Sequence, residues 1–297
     1  MVETIAYNEL AEKIKQLLEK KEVELVIGYR ARKDAIVSPF FFTDPQYASE
    51  AVWNTNCVYN LATYLTREKA KGFERVAIMV KPCDLRAINV LIQENQVKRE
   101  NLFIIGLNCK GVTYDKKDCG EIASKCVACA DKERNPSIFL KADLIVKDQE
   151  GSVSGTMDDK INQMLDKLAN MDMESRWKFW QEEFTKCIRC YACRFICPVC
   201  YCERCVSEMS QPQWIEKSAH LNGNFLYHLT RAFHMSGRCV SCGECMRACP
   251  MQIPLLVLYK GMNSRVKELF DYIPGDDANQ EPVLSQFGLD DEDSFIK

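Results

Sequence analysis

The chain has 297 residues, of which 47% are hydrophobic and 27% charged, so its composition is that of a globular protein of about two domains. Lys and Arg total 39 and Asp and Glu total 42, and the resulting charge of −3 gives no reason to expect nucleic acid or an anionic membrane as a partner. No run approaches about 18 consecutive apolar residues, so we expect no membrane span. The unusual feature is cysteine, at 17 residues.

The N-terminal sequence and the odd number of cysteines argue against a disulfide framework. The chain begins Met1-Val2-Glu3-Thr4, without the basic start, apolar core and small-residue cleavage site of a secretory leader. Seventeen cysteines would also leave one thiol unpaired. We therefore expect a reduced, cytoplasmic protein whose thiols are available as metal ligands.

Apolar periodicity predicts alternating helices and strands in the first half of the chain. In order, we expect a helix over 7–21, a strand over 23–29, an edge strand or loop over 35–42, a helix over 47–67, a strand over 75–80, a helix over 84–96, a strand over 102–107 and a strand region over 137–146. The strand–helix–strand unit over 75–107 predicts two parallel strands joined by a right-handed crossover. The predicted fold class of this half is α/β with a partly parallel sheet.

Two cysteine runs share one spacing, C-x2-C-x2-C-x3-C-P, from Cys187 to Pro198 and from Cys239 to Pro250. Three thiolates two residues apart wrap a loop around three corners of a cubane cluster, and the fourth reaches the neighbouring cluster. Zinc sites instead have separated C-x2-C pairs or Cys/His sets, so the spacing favours two [4Fe–4S] clusters. The expected ligand sets are crossed: Cys187, Cys190 and Cys193 with Cys249, and Cys239, Cys242 and Cys245 with Cys197.

Residues 187–250 resemble two-cluster bacterial ferredoxins, which implies an α+β dicluster domain. Between the two runs lie three more thiols, Cys200, Cys202 and Cys205. They could supply a further metal site, with a fourth ligand from Cys57 or Cys119, or they could be buried small residues that shield the neighbouring cluster. A predicted helix over 225–234 is expected to pack over the clusters and restrict water.

The remaining cysteines are dispersed, but two of them follow predicted parallel strands. Cys83 comes after the strand at 75–80 and Cys109 after the strand at 102–107. Because parallel strands end at the same edge of a sheet, we expect these two thiols to be neighbours. Adding the C-x2-C pair Cys126 and Cys129 gives four thiolates, enough for one more cluster or a structural zinc.

The order and context of Pro82-Cys83, Gly106-Leu-Asn-Cys109 and Cys126-Val-Ala-Cys129 resemble the beta subunits of deazaflavin-dependent hydrogenases and dehydrogenases. The resemblance covers roughly residues 23–150. It implies that Cys83, Cys109, Cys126 and Cys129 hold a third [4Fe–4S] cluster, with FAD bound beside it. The 13 glycines nowhere form G-x-G-x-x-G, so the usual Rossmann turn is not expected to hold a dinucleotide. Asn54-Thr55-Asn56 is the candidate neighbourhood for FAD.

The histidines and the basic residues beside the cysteines complete the candidate set. His220, His228 and His234 fit no hydrolase pattern and are expected to pack or lie at the surface, with hydrogen bonding to a cluster as the alternative. Lys81, Arg86, Arg189, Arg194 and Arg247 lie next to cysteines, where they could raise cluster potentials or be solvated.

The predicted segments are an α/β domain with one cluster at 1–150, a helical connector at 151–186, the dicluster domain at 187–275 and an acidic tail at 276–297. Trp177, Trp180 and Phe184 are expected to anchor the connector by packing, and the tail to lie along the surface or against a partner.

The predicted function is an electron-transfer subunit that relays single electrons between redox units of an anaerobic complex. The resemblance implies partners of the hydrogenase, formate dehydrogenase or heterodisulfide-reductase type. One alternative is a FAD-containing subunit that exchanges hydride with a deazaflavin or nicotinamide. The other is a zinc-stabilised scaffold without redox activity.

Overall fold

The structure is a computed structural model that describes residues 2–32, 36–67, 70, 72–113, 122–129, 142–151, 159–283 and 285. These residues form a six-stranded sheet in the order β1-β6-β5-β4-β2-β3. All neighbouring strands are parallel except β2 and β3, which are antiparallel. The strands are β1 (Glu3–Ile5), β2 (Leu25–Ala31), β3 (Val37–Phe42), β4 (Val76–Val80), β5 (Leu102–Leu107) and β6 (Leu144–Val146).

Helices flank this sheet and are the main regular elements of the described residues 159–283. None of those in the described residues is both long and apolar enough to cross a bilayer. They are α1 (Leu10–Glu19), α2 (Pro82–Gln93), α3 (Ser124–Val127), α4 (Lys160–Ala169), α5 (Met173–Thr185), α6 (Ala192–Phe195), α7 (Leu221–Met235), α8 (Glu244–Arg247) and α9 (Leu255–Phe270).

The predicted strand–helix–strand unit is present as β4, α2 and β5. Val76 pairs with Leu102 and Val80 with Gly106, so the two strands end side by side. All five residues of β4 are buried, as expected of an unbroken apolar strand in the middle of a parallel sheet. The α/β fold class predicted for this half is confirmed.

β3 lies at the edge of the sheet, as Pro39 predicts. Proline has no N–H to donate to a neighbouring strand, and an edge strand has one side that needs no donors. At the opposite edge, β1 is an element that the sequence analysis did not predict. It pairs with β6, the described part of the predicted strand region, whose residues 137–141 lie outside the described chain.

The helix predicted over 47–67 is wrong. This segment, which the structure describes throughout, forms 3-10 turns at Pro45–Glu50 and Leu61–Tyr64 with an irregular stretch between them. The amide of Val52 donates to the Tyr29 carbonyl of β2 and that of Thr55 to the Glu150 carbonyl, so the backbone bonds to distant segments instead of closing helical turns. Apolar spacing alone did not reveal these partners.

The connector forms two helices, α4 and α5. α5 begins where the Asp172 side chain accepts a hydrogen bond of 2.8 Å from the Ser175 amide. Of the expected anchors, Phe184 is buried, whereas Trp177 is half exposed and packs on Phe225 with 4.4 Å between ring centroids. Trp180 stacks on Phe184 at 5.4 Å.

The cysteine-rich half is helical, and residues 159–283, all described, form no strand. One hydrophobic cluster contains residues from both halves, including Val80 and Val240. After α9 the chain returns to α2, where the Gln93 side chain donates to the carbonyls of Asp277 and Gln280 at 2.7 and 2.8 Å. The expected tail continues into residues 284 and 286–297, which lie outside the described chain. The four-segment division stays a prediction.

Candidate iron–sulfur sites

The two cysteine runs have the same backbone conformation. Arg189 and Tyr191 in the first run have left-handed φ values of 56° and 58°, and the equivalent Ser241 and Gly243 have 56° and 73°. A single helical turn then follows at equivalent positions, α6 in one run and α8 in the other. Non-glycine residues rarely adopt this conformation, and where they do so they often line functional sites. The two runs therefore share a backbone conformation as well as a cysteine spacing.

These left-handed residues direct backbone amides at the thiols. The Arg189 amide donates to the Cys187 sulfur and the Ser241 amide to the Cys239 sulfur. Burial raises the pKa of both thiols, that of Cys239 to about 11, and each amide opposes the rise by stabilising the thiolate. Such loops are suited to hold sulfur that carries negative charge.

The first site is a cavity lined by all four thiols of one crossed set. One side of it is formed by α7, which presents His228 to the cavity. Cys190 is exposed, so this site lies close to the surface. The four thiols are Cys187, Cys190, Cys193 and Cys249.

His228 is a buried polar side chain at the first site, and neither of its ring nitrogens has a hydrogen-bond partner among the described residues. Its ring stacks on Phe184 with 4.5 Å between centroids. Burial, with the charges of Arg231 and Arg189, lowers the pKa of His228 to about 3, so the imidazole is neutral and keeps one N–H to donate. Leaving such a donor unpaired costs about 1–3 kcal/mol. A cluster sulfur in the adjoining cavity would satisfy it.

The second site is a cavity lined by the other crossed set, together with Arg231 and Tyr259. Arg231 is buried; it donates to the Cys193 carbonyl at 3.0 Å and to the Tyr259 hydroxyl. The arginine thus connects a ligand loop of the first site with the wall of the second. The four thiols are Cys197, Cys239, Cys242 and Cys245.

The N-terminal site is a cavity of about 200 Å³ at the carboxyl ends of β4 and β5. Cys83 lies in the first turn of α2, directly after β4, and Cys109 follows β5. α3 supplies Cys126, and Cys129 follows two residues after it. All four thiols line the cavity, so the structure brings together the dispersed set.

Buried lysines place positive charge beside these thiols. Lys81 forms an ion pair with Asp84 at 3.0 Å and donates to the Tyr59 carbonyl at 2.6 Å. Burial alone would lower the pKa of Lys81, but Asp84 and the cysteines Cys83 and Cys109 raise it, so the ammonium stays charged. A [4Fe–4S] cluster with four thiolates is anionic, and a buried cation stabilises it.

The N-terminal and second sites adjoin each other. Cys242 lines both cavities, and so does Val240 beside it in the chain. Arg231 in turn relates the second site to the first. The three thiol-lined cavities therefore follow one another through the protein, from the N-terminal site to the second and then to the first.

The other cysteines of the described chain do not line these cavities. Cys57 is buried beside Asn54, and burial raises its pKa to about 12. The Cys200 amide donates to the carbonyl of Cys197, which lines the second cavity, at 3.3 Å, and burial raises the pKa of the Cys200 thiol to about 11. Cys202 is exposed and Cys205 half-buried. Cys119 lies outside the described residues.

The candidate neighbourhood for FAD, residues 54–56, is engaged by protein groups. The Asn54 side chain accepts a hydrogen bond from the Asn56 amide at 2.9 Å, and the Asn56 side chain accepts one from the Thr113 hydroxyl at 2.7 Å. These contacts fix the loop that carries Cys57.

The donor sets fit cubane clusters. The first and second cavities are each lined by four thiols, the N-terminal cavity is lined by its own four thiols together with Cys242, and every cysteine in the described part of the chain is a free thiol. In that part, no three His, Cys, Asp or Glu side chains converge on a single point as ligands of one metal ion do. A cubane cluster has its iron atoms at separate corners, so its thiolate ligands are spread around a cavity, as these thiols are.

Lys125, Arg231 and Glu244 line these cavities but were missed by the sequence analysis. The available signal was their position: Lys125 precedes a cysteine, and Glu244 stands between two cysteines of the second run. Charged residues are common next to cysteines at protein surfaces, so the sequence could not distinguish these three. Their burial in the structure did so.

Comparison with curated proteins finds relatives that align with most of the chain, although no protein-family model matches it. The F420-dependent formate dehydrogenase subunit beta of Methanocaldococcus jannaschii is 25% identical over 358 aligned positions, which cover 91% of this chain and 92% of that protein. The F420-dependent formate dehydrogenase 1 subunit beta of Methanococcus maripaludis is 23% identical, with 91% of each chain covered. The chain is therefore a distant homologue of F420-dependent formate dehydrogenase beta subunits, which confirms the resemblance suggested by its cysteines.

Proposed function

We propose that this chain binds three [4Fe–4S] clusters and relays single electrons within a larger oxidoreductase complex. The observation that carries this proposal is the succession of thiol-lined cavities, in which Cys242 belongs to two of them. Electron transfer through protein requires centres that lie close together, and adjoining cavities meet that need. The crossed ligand sets support the assignment of the first and second clusters.

The succession gives electrons two places to enter or leave. Cys190 is exposed at the first site, so a cluster there would lie near a partner protein. At the other end, the N-terminal cavity is walled by Lys260 and Lys267 of α9 and by Tyr272 beyond it. Homology to proteins named as beta subunits supports partner subunits of the formate dehydrogenase type, with hydrogenase and heterodisulfide-reductase types as related settings.

Bound clusters would supply the one-electron chemistry, and the chain's residues would hold and tune them. Backbone amides of the left-handed loops donate to ligand sulfur, while Arg231 and Lys81 offset negative charge where water is excluded. Burial raises the pKa of ligand thiols such as Cys187 and Cys239, so these thiols lose a proton when they bind iron and cluster assembly releases protons.

The first test is the metal content of the protein purified without oxygen. We expect about 12 iron and 12 acid-labile sulfide per chain, four of each per cluster. Cys83→Ala should lower both to about 8 and remove one electron paramagnetic resonance signal, because Cys83 lines only the N-terminal cavity among the three. Cys57→Ala removes a buried thiol outside the cavities and serves as the matched control, with iron unchanged. A zinc-rich, iron-poor protein would contradict the proposal and support the scaffold alternative.

The second candidate function, hydride exchange by a bound FAD, is favoured by the homology to F420-dependent enzymes. Denaturation of the same preparation separates the two. Release of about one flavin per chain would add this activity to the relay, whereas a flavin-free supernatant would leave electron transfer alone.

A further inference from the structure

A buried ion pair lies between the N-terminal and second sites. Lys125 lines the N-terminal cavity and Glu244 lines the second, and the Lys125 ammonium donates to the Glu244 carboxylate. Their side chains are 7% and 1% exposed, so solvent screens neither charge.

The pair is held in place from both sides. The Lys125 ammonium also donates to the Val58 carbonyl at 2.7 Å, and Arg247 approaches the far oxygen of Glu244 at 2.9 Å. Gly243 has a φ of 73°, and a Cβ there would lie 2.5 Å from the Cβ of Lys125. The backbone of the second run therefore makes room for this lysine.

The positive and negative ends of the pair lie beside different sets of thiols. Its positive end precedes Cys126 and lies in the cavity with Cys83, while its negative end stands between Cys242 and Cys245 in the chain. A cation beside a cluster stabilises an added electron, and a carboxylate opposes it. The two ends therefore act with opposite sign on neighbouring clusters.

We propose that the Lys125–Glu244 pair biases the internal electron equilibrium toward the N-terminal cluster. This inference rests on the proposed function, because it requires clusters at both sites. In the biased step the second-site cluster is oxidised by one electron and the N-terminal cluster is reduced by it, with no bond or proton changed. Neither residue is a cluster ligand, so the pair acts on the two clusters only through its charges.

The buried charges of Lys81 and Arg231 lie elsewhere. Lys81 is paired with Asp84 beside the N-terminal thiols, and Arg231 lies between the second and first sites. Arg247 offsets part of the Glu244 charge. Lys125 and Glu244 are the two that meet across the boundary, so their removal is the most direct change to the difference between the two potentials.

The experiment is a redox titration of the anaerobic protein, followed by electron paramagnetic resonance, with Cys83→Ala used to assign the N-terminal signal. Glu244→Gln should raise the second-site potential more than the N-terminal one. Lys125→Met should lower the N-terminal potential more than the second. Each change should alter the equilibrium ratio between the two clusters about tenfold, which is about 59 mV for one electron.

Each single substitution removes one partner of a buried ion pair and can destabilise the fold, so the double variant Lys125→Met/Glu244→Gln is also needed. In the double variant, the ratio of reduced N-terminal cluster to reduced second-site cluster should be lower than in either single variant. Glu3→Gln is the control: it removes an ion pair with Lys13 at 2.6 Å on β1, an edge strand that β6 separates from β5, and both potentials should stay unchanged.

The outcomes separate the two proposals. A protein without iron at either site contradicts the proposed function itself. If both clusters are present in the double variant and the difference between their potentials equals that of the parent, the pair has only a structural role and the inference is wrong.

Discussion

The first and second sites and the N-terminal site each arrange cysteine thiols around a cavity, but they draw these thiols from different kinds of chain segment. In the first and second sites, three of four thiols come from one short loop whose left-handed residues direct amides at sulfur. In the N-terminal site the thiols come from two strand ends and a short helix, and buried lysines supply the positive charge. The C-terminal loops therefore carry most of their geometry locally, whereas the N-terminal site depends on the sheet and on what packs over it.

The largest expected effect tests the exchange of ligands between the two runs. Because Cys249 lines the cavity of the first run, Cys249→Ala should remove the same cluster signal as Cys187→Ala and a different one from Cys245→Ala. Each should lower iron by about four per chain. Matching spectra for Cys249→Ala and Cys245→Ala would show that each run binds its own cluster. Cys200→Ala, a neighbouring thiol outside the cavities, is the control.

A smaller effect is expected from a substitution that should make the N-terminal cluster less stable than the other two. Gly275 has a φ of 73°, and a Cβ there would lie 2.2 Å from the Arg86 carbonyl oxygen. Gly275→Ala should push the segment that carries Pro274 away from α2 and open the cavity. We expect a loss of about 2 kcal/mol in the free energy of unfolding and faster loss of the N-terminal cluster in air.

The control for that variant is Gly72→Ala, because no atom lies within 4 Å of a Cβ at Gly72. Its stability and its cluster lifetimes should equal those of the parent. Equal loss of all three clusters in Gly275→Ala would show that the N-terminal site is no more dependent on its surroundings than the other two.

The smallest expected effect concerns tuning within the first site. His228→Phe keeps the stacking on Phe184 but removes the ring N–H from a residue that lines the cavity. One hydrogen bond is worth about 1 kcal/mol, so the potential of the first cluster should fall by roughly 40 mV. His234→Phe, an exposed position on the same helix, should change nothing. An unchanged potential in His228→Phe would mean that the imidazole donates to no sulfur.

The sequence predicted the parallel core of the fold because β4 and β5 are unbroken apolar runs on either side of an amphipathic helix. It failed at 47–67, where apolar residues recur at helical spacing but the amides of Val52 and Thr55 bond to the neighbouring chain. It also missed β1, since three residues are too few for a periodic pattern. Elements whose apolar pattern matches their structure were predictable, whereas the segment at 47–67 and the short β1, which are placed by hydrogen bonds to distant residues, were not.

The sequence alone determined the class of ligand chemistry, because spacing within a run fixes how far apart thiols on one loop can lie. It also placed Cys83 and Cys109 together, because parallel strands must end at one edge. Only the tertiary structure decided that the N-terminal and second cavities meet at Cys242 and that Lys125 faces Glu244 between them. Those contacts join residues far apart in the chain, and packing of the two halves against each other selects them.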